Sequence, residues 1–311
     1  MELIRGLHNL RPEHRGCVAT IGAFDGVHRG HRAVIERLLV QGKAMSLPTV
    51  VIVFEPLPRE YLTPLQAPAR LMSFREKFLI LKELGVDRVL RIRFNDALRS
   101  MSADAFVDEI FAEGLGVHFV ALGDDFRFGA DRQGDFEFVK RRGEVLGFDC
   151  QSMNTLTCGG GERVSSTRVR EALADGDFAL AQELLGRPYE ISGRVVYGRQ
   201  LGREMGAPTA NVELHRLRSP LSGVFAVEVT GAGLECAPAV ANVGTRPTVN
   251  DSIRANLEVH LLDRDINLYG QRIAVRFKYK LREEKKFASL DELKENIQKD
   301  IDTTADWFAS H

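Results

Sequence analysis

The apolar residues of this chain keep two different rhythms, and the change between them after Arg187 and Pro188 excludes a single uniform architecture. In the first half, short apolar runs alternate with amphipathic stretches. Residues 17–24, 49–55, 88–94, 118–122 and 148–154 have the length and β-branched content of buried strands. Between them, 31–45, 74–84, 103–113 and 136–146 repeat apolar residues at helical spacing, with Ser73 and Ser102 placed to cap two of these helices. Strand–helix alternation implies right-handed βαβ units and a parallel sheet with helices on both faces. Beyond residue 188 the period falls to two. Ile273, Val275, Phe277, Tyr279 and Leu281 share one face of 271–281, while Arg272, Arg276, Lys278 and Lys280 share the other. Segments 191–197, 224–230, 237–243 and 256–262 also read as strands, divided by Gly, Pro and Asn, which predicts an antiparallel barrel or sandwich. A last helix follows, opened by Ser289 and Glu292 as a capping box, with Leu290, Leu293, Ile297, Ile301 and Phe308 as its expected buried stripe. The expected domains are 1–186 and 187–311.

Composition narrows the partners. A length of 311 residues suits two domains, and 44% hydrophobic with 27% charged residues suits packed cores. A net charge of −1 argues against bulk nucleic-acid binding, which needs a basic footprint. Cys17, Cys150, Cys158 and Cys236 are scattered without CxxC or zinc spacing, so they read as reduced thiols of a cytoplasmic protein. The first ten residues, MELIRGLHNL, hold no secretory h-region, and the longest apolar runs, such as 50–54, are too short to cross a bilayer. No membrane and no obligatory protein partner is expected.

The densest chemistry lies in residues 22–31, GAFDGVHRGH, directly after the first strand. Gly22 and Gly30 let backbone approach a ligand without a Cβ in the way. A helix beginning here offers unpaired N–H groups and a positive dipole end to phosphate, and His28 and His31, about one turn apart, can face the same anion. Gly123, Asp124 and Asp125 follow the fourth strand, where carboxylates bind a ribose hydroxyl or base amine, or form a solvated turn. Ligands of parallel sheets bind beyond the strands' carboxyl ends, so the two segments are expected to share one pocket. In 163–170, RVSSTRVR, hydroxyls and arginines crowd a helix start; capping alone explains Ser165 or Ser166, whereas the whole set suits phosphate oxygens.

In the second half, GRQLGR (198–203) and GAPTAN (206–211) lack the GK[ST] ending of a Walker A loop, yet a glycine-rich flap before a Pro-Thr turn can hold a nucleotide and a metal. Thr209 is a hard-oxygen ligand suited to Mg²⁺. Glu258 breaks the apolar run of a strand; it either points into a pocket to orient or deprotonate a hydroxyl, or is solvated at an edge.

Together these motifs resemble the prokaryotic bifunctional riboflavin kinase/FAD synthetase family. The resemblance rests on GAFDGVHRGH, FEPLPRE, GDDFRFG, RVSSTRVR, GRQLGREMGAPTAN, ANVGTRPTV, LEVHLLD, LYG and REEKKFASLDELK, in order along nearly the whole chain. It implies a Rossmann-like adenylyltransferase domain followed by a six-stranded antiparallel kinase barrel with a C-terminal helix. It implies riboflavin, FMN and ATP as substrates and Mg²⁺ in both reactions. By the same resemblance His28 and His31 stabilise charge at the α-phosphate. Gly22, Phe24, Asp25, Gly30, Gly123, Asp124, Asp125, Arg163, Ser166, Thr167 and Arg170 bind the first ATP, and Phe54, Pro56 and Pro58 line the flavin side. In the kinase Gly198, Gly202, Thr209 and Asn211 serve ATP, Thr209 also serves Mg²⁺, and Glu258 is the base. Two positions depart from the family's habit, Leu57 where histidine is common and Ala207 where phenylalanine is common. A single-activity kinase and a flavin- or nucleotide-sensing protein are the competing readings.

Overall fold

The computed structural model describes residues 1–153, 156–158, 161–198, 207–247, 253–262, 264 and 266–311. Two compact units emerge, one of residues 1–68 and 74–165, the other of 69–73 and 166–311.

The first unit is built on a sheet of β1 (Glu2–Arg5), β2 (Cys17–Ile21), β3 (Thr49–Phe54), β4 (Arg88–Ile92), β5 (Val117–Gly123) and β6 (Asp149–Met153), in the order β1-β4-β3-β2-β5-β6. Every pairing is parallel. The edge strand β1 is not anticipated by the periodicity, because four residues with one buried member, Ile4, carry too little pattern. β2 and β3 are buried at every residue, as continuous apolar runs in the middle of a parallel sheet require. Helix α1 (Arg29–Met45) packs on β2, β3 and β5 through Ile35 and Leu38. Gly42 permits that close approach, since a Cβ there would stand 2.8 Å from Thr49 Cγ2 and 2.9 Å from the Leu47 carbonyl oxygen. Further helices are α2 (Pro58–Leu62), α3 (Phe74–Glu83), α4 (Ala103–Phe106) and α5 (Phe136–Leu146). Ser102 caps α4 as expected, its Oγ accepting from the Ala105 N–H at 3.1 Å. The helix predicted over 103–113 is α-helical only to Phe106 and continues as π-helix over Val107–Gly114.

The second unit opens with α6 (Ser166–Asp175) and α7 (Phe178–Leu185), packed together. β7 (Glu190–Val196), β8 (Ala210–Val212), β9 (Gly223–Gly231), β10 (Leu234–Pro247), β11 (Ile253–Leu261) and β12 (Arg272–Arg282) then close an antiparallel barrel in the order β10-β11-β8-β7-β12-β9. Val227, Val229, Ala239, Ala241, Val243, Leu257, Val259, Ile273 and Val275 are among its buried residues. Phe178 of α7 stacks on Phe277 at 6.1 Å between centroids and meets Phe225 edge-on.

Two expectations about buried faces need correction. Tyr279 does not continue the face of Ile273, Val275 and Phe277: the β12–β9 register shifts between Phe277 and Tyr279, and Tyr279 is 48% exposed. The tyrosine instead stacks on Trp307 of the last helix, α8 (Leu290–Ser310). On α8, Leu290 is 73% exposed and Leu293, Ile297, Ile301 and Phe308 are half-buried, while the buried members are Asp300 and Thr304. Ser289 Oγ accepts from the Glu292 N–H as predicted, but Glu292 Oε2 accepts from the Ala288 N–H rather than from that of Ser289, so the reciprocal half of the capping box is displaced by one residue. The helix is fixed mid-length by a bidentate ion pair from Arg282 of β12 to Asp300, at 2.9 and 2.7 Å. No described helix is long and apolar enough to cross a membrane.

Removing Asp300 leaves the partly buried Arg282 guanidinium without its fork. Asp300→Ala is expected to cost about 1–3 kcal/mol, read as a lower midpoint in thermal or urea unfolding. An unchanged midpoint would show that the apolar contacts of α8 hold it alone.

Candidate functional sites

In the first unit the strand order reverses between β2 and β5, so the loops leaving these strands diverge and open a crevice, the place where parallel sheets bind ligands. A cavity of about 660 Å³ occupies it, lined by Thr20, Gly22, Ala23, Phe24 and His31 from one side and Gly123, Asp125, Phe126 and Phe128 from the other. Between β2 and α1 the backbone passes through left-handed conformations at Phe24 (φ 45°), Gly26 (φ 86°) and Val27 (φ 39°). For a β-branched valine that region is strained, and strain of this kind gathers at ligand sites.

His28 then caps α1. Its Nδ1 accepts from the His31 N–H at 3.3 Å, which leaves the neutral ring's proton on Nε2. The His28 and His31 rings stack at 3.6 Å between centroids and 17° between planes. Gly30 makes room for that stack, because a Cβ there would lie 3.2 Å from His28 Cε1 and Nδ1. His28 and Asp25 are buried, and Phe24 tilts against His31 at 5.1 Å. Among the described residues, His31 Nδ1 and Thr20 Oγ1 are buried without a hydrogen-bond partner, and both residues line the cavity. Burial, then His28 and then Lys77 hold the His31 pKa well below its ordinary range, so the imidazole is neutral at physiological pH.

Phe54 and Pro58 line the same cavity, while Pro56, after a cis Glu55–Pro56 bond, is not among its lining residues. Phe54 aside, the motifs do not single out the aromatic walls. Phe126 and Phe128 stack at 5.4 Å, Phe106 tilts on Phe128 at 4.8 Å, and Phe94 meets Phe54 edge-on at 5.9 Å. Phe126 and Phe128 lie inside the quoted GDDFRFG segment, so alternation of aromatics after a strand end was the available signal. Arg163 holds Asp125 at 2.7 Å and Asp124 at 3.5 Å. Ser166, Thr167 and Arg170 lie on the first turns of α6 in the second unit, where Arg170 Nε donates to the Ala69 carbonyl.

In the barrel, pairing register does the positioning. Glu258 of β11 stands opposite Asn211 of β8 and Asn242 of β10. Because Leu257, Val259 and Leu261 are buried, Glu258 projects from the other face of the strand. Asn256 Nδ2 donates to Glu258 Oε1 at 2.9 Å and orients it, a role the sequence reading missed. Asn211 and Asn256 line a cavity of about 430 Å³ together with Tyr197 and Gly198. At Gly198 a Cβ would fall 2.3 Å from Asn211 Nδ2, so the backbone can pass the asparagine only as glycine. Thr209 lines a separate cavity of about 350 Å³ with Arg264, Asn267 and Tyr269. His260 shares a hydrogen bond with the Pro208 carbonyl at 2.9 Å, which steadies the turn before Thr209. Gly202 lies outside the described residues.

A parallel sheet whose crevice ends in a histidine-capped helix, followed by a closed antiparallel barrel with a carboxylate–asparagine row on one face, defines a two-site nucleotide-handling protein. Residues 10–168 match the FAD synthetase family model and residues 185–308 match that of riboflavin kinase. The chain is 54% identical over 301 residues to the bifunctional riboflavin kinase/FMN adenylyltransferase of Pseudomonas fluorescens, covering 97% of this chain and 96% of that one. It is 52% identical over 309 residues to the protein of the same description from Escherichia coli strain K12, covering 99% and 98%. A crystal structure described as a macrolide-efflux protein from Streptococcus pneumoniae shares the fold with a TM-score of 0.78 at 28% identity, over 98% of this chain and 99% of that one. The chain belongs to the bifunctional riboflavin kinase/FMN adenylyltransferase family.

The depressed pKa of His31 has a sign that can be tested. The unfolded chain takes up a proton on this imidazole near pH 6.5 and the folded chain resists it, so its contribution to stability is complete above that value and is lost as pH falls below it. Cooling-reversible melts from about pH 7 to about pH 5 are expected to show a falling midpoint, and His31→Gln to flatten part of that slope. An unaltered slope in His31→Gln would show that other groups carry it.

Proposed function

We propose that this chain converts riboflavin and ATP to FMN in its barrel, and FMN and a second ATP to FAD and pyrophosphate in its parallel-sheet domain. The observation that carries this reading is the match of the two halves to two different transferase families, with a separate cavity system in each compact unit. We assign the activities to 1–186 and 187–311.

In the adenylyl transfer, an FMN phosphate oxygen attacks the α-phosphorus of ATP, a new P–O bond forms, and the bond to the bridging oxygen breaks to release pyrophosphate. Positioning and electrostatics supply most of such catalysis. The helix end at His28 and the His31 ring meet the charge that develops at the α-phosphate, with His31 acting as a neutral hydrogen-bonding group. Gly22, Phe24, Asp25, Gly30, Gly123, Asp124 and Asp125 surround the nucleotide, and Arg163, Ser166, Thr167 and Arg170 hold its phosphates. Phe54, Pro56 and Pro58 take the flavin side, to which the ring walls of Phe94, Phe126 and Phe128 add apolar surface suited to an isoalloxazine.

In the kinase reaction the riboflavin 5′-hydroxyl oxygen attacks the γ-phosphorus, its proton passes to Glu258, and ADP leaves. Asn256 fixes the accepting carboxylate, while Gly198, Gly202, Thr209 and Asn211 serve ATP. The donor set fits Mg²⁺ in that Thr209 offers a hard oxygen, the kind of ligand taken by an ion held chiefly by phosphate oxygens and water. When bound, Mg²⁺ neutralises phosphate charge in both sites. A cytoplasmic location is part of the same reading.

Incubation of the protein with riboflavin, ATP and Mg²⁺, followed by chromatography of the flavins, tests the whole scheme. FMN and FAD should both accumulate; FMN alone indicates a single-activity kinase, and neither indicates a sensor. Replacing His28 and His31 together by alanine is expected to slow FAD formation from supplied FMN about 100-fold or more and to spare FMN formation. Thr209→Ala or Glu258→Gln should do the reverse to a similar extent. Wild-type FAD synthesis in the double histidine variant would remove His28 and His31 from the chemistry.

A further inference from the structure

One buried cation of the first unit has no role in the scheme above. Lys77, on the first turn of α3, is 2% exposed, and burying a lysine ammonium is costly unless its hydrogen bonds are met. Its Nζ donates to the carbonyl oxygen of Ala23 at 2.5 Å. Ala23 is the residue immediately before the left-handed Phe24, inside the strained turn that carries β2 into α1, and it lines the 660 Å³ cavity beside His31. The lysine therefore grips the one stretch of backbone whose conformation sets the aim of the histidine pair. Its charge is also near enough to act on the His31 ring.

We propose that Lys77 is a positioning residue for adenylyl transfer, its ammonium clamping the 22–27 turn at Ala23 and placing a fixed positive charge beside His31. The proposal rests on the reading of this cavity as the FAD-forming site. Two consequences separate it from simple packing. The ammonium held on the Ala23 carbonyl presents positive potential to a triphosphate while His31 itself stays neutral and free to hydrogen-bond. The same cation opposes protonation of His31, adding to the effect of burial and of His28. The remaining charged groups lining the cavity are Arg59, Arg99, Arg127, Arg132, Asp125 and Asp131. In addition, α3 follows directly on residues 69–73, which belong to the second compact unit and are held there by Arg216 Nη1 to the Arg70 and Leu71 carbonyls and by the Tyr189 hydroxyl to Leu71.

The test uses the full chain with Lys77→Met, which keeps length and apolar bulk and removes the charge, and Lys77→Arg, which keeps the charge. Lys77→Met is expected to lower FAD formation from FMN at least about 10-fold with riboflavin phosphorylation unchanged, a difference of about 1.4 kcal/mol. In the same variant the His31 Cε1–H resonance, followed by NMR without substrates, should titrate at higher pH than in the wild type, and the acid limb of the FAD-forming rate should move the same way. Lys77→Arg should keep His31 near its wild-type titration even where activity drops. FAD formation at the wild-type rate in Lys77→Met overturns the proposal. So does a His31 titration that is unmoved by loss of the charge, because that result would mark Lys77 as packing alone. Should Lys77→Met fail to fold, Lys77→Arg decides: a His31 titration raised despite the retained charge is equally fatal. The NMR titration needs no turnover, so a wild-type protein that makes no FAD would sink the functional reading and leave the lysine's influence on His31 still measured.

Discussion

The first unit depends on a forced transition: a central strand with no exposed residue must end and present a helix N-terminus within six residues. β2 is buried from Cys17 to Ile21, so the chain cannot drift out of the sheet gradually. It turns through Phe24, Gly26 and Val27 with positive φ, at a cost of about 1–3 kcal/mol for each strained non-glycine residue. That cost is borne only because the surroundings over-determine the turn. The Gly22 N–H is held by the Ile52 carbonyl, Val27 N–H by Phe24, and Ala23 by Lys77. What results is a helix end whose first acceptor is itself an imidazole. His28 cannot both cap His31 and offer Nδ1 to a ligand.

The barrel solves a different problem. Closing six strands into a ring removes sheet edges and lets one face of each strand fill the interior with Val, Ala and Leu. The other face is then available for chemistry wherever something covers it. On β11 this puts Leu257, Val259 and Leu261 inward and Asn256, Glu258 and His260 outward, each facing a polar or backbone partner. Because the side-chain period is two, a slip of one residue would bury Glu258 among the valines. Register is therefore specified by the alternation of Leu257, Val259 and Leu261 with Asn256, Glu258 and His260.

Much of this was legible in the sequence. Five of the six parallel strands and five of the six barrel strands are long enough to show their period, and residues 22–31 and 123–125 carried enough composition to suggest a shared crevice. What stayed hidden follows from length and distance. β1 and β8 have four and three residues, too few for a pattern. Tyr279 sits past a register shift that no periodicity foretells, and α8 buries a polar pair because its partner on the barrel is Arg282 rather than an apolar ridge. Lys77 looked like one more polar residue on an amphipathic helix, although its target lies 54 positions earlier in the chain. Asn256 acquires its role only through Glu258, two residues along the same strand, and no motif marks the pair.

The polar groups around the first cavity divide into two kinds. At the floor, Thr20 Oγ1 and His31 Nδ1 are buried without partners among the described residues, and an unmet buried polar atom costs about 1–3 kcal/mol. A ligand that meets them recovers that cost, so binding there is favoured before any new contact is counted. Asp125, which also lines the cavity, is by contrast engaged with Arg163, which reaches Asp124 as well, and the Arg163 and Asp125 side chains are 48% and 69% exposed. Such an exposed pair contributes about 0–1 kcal/mol, so separating it is nearly free.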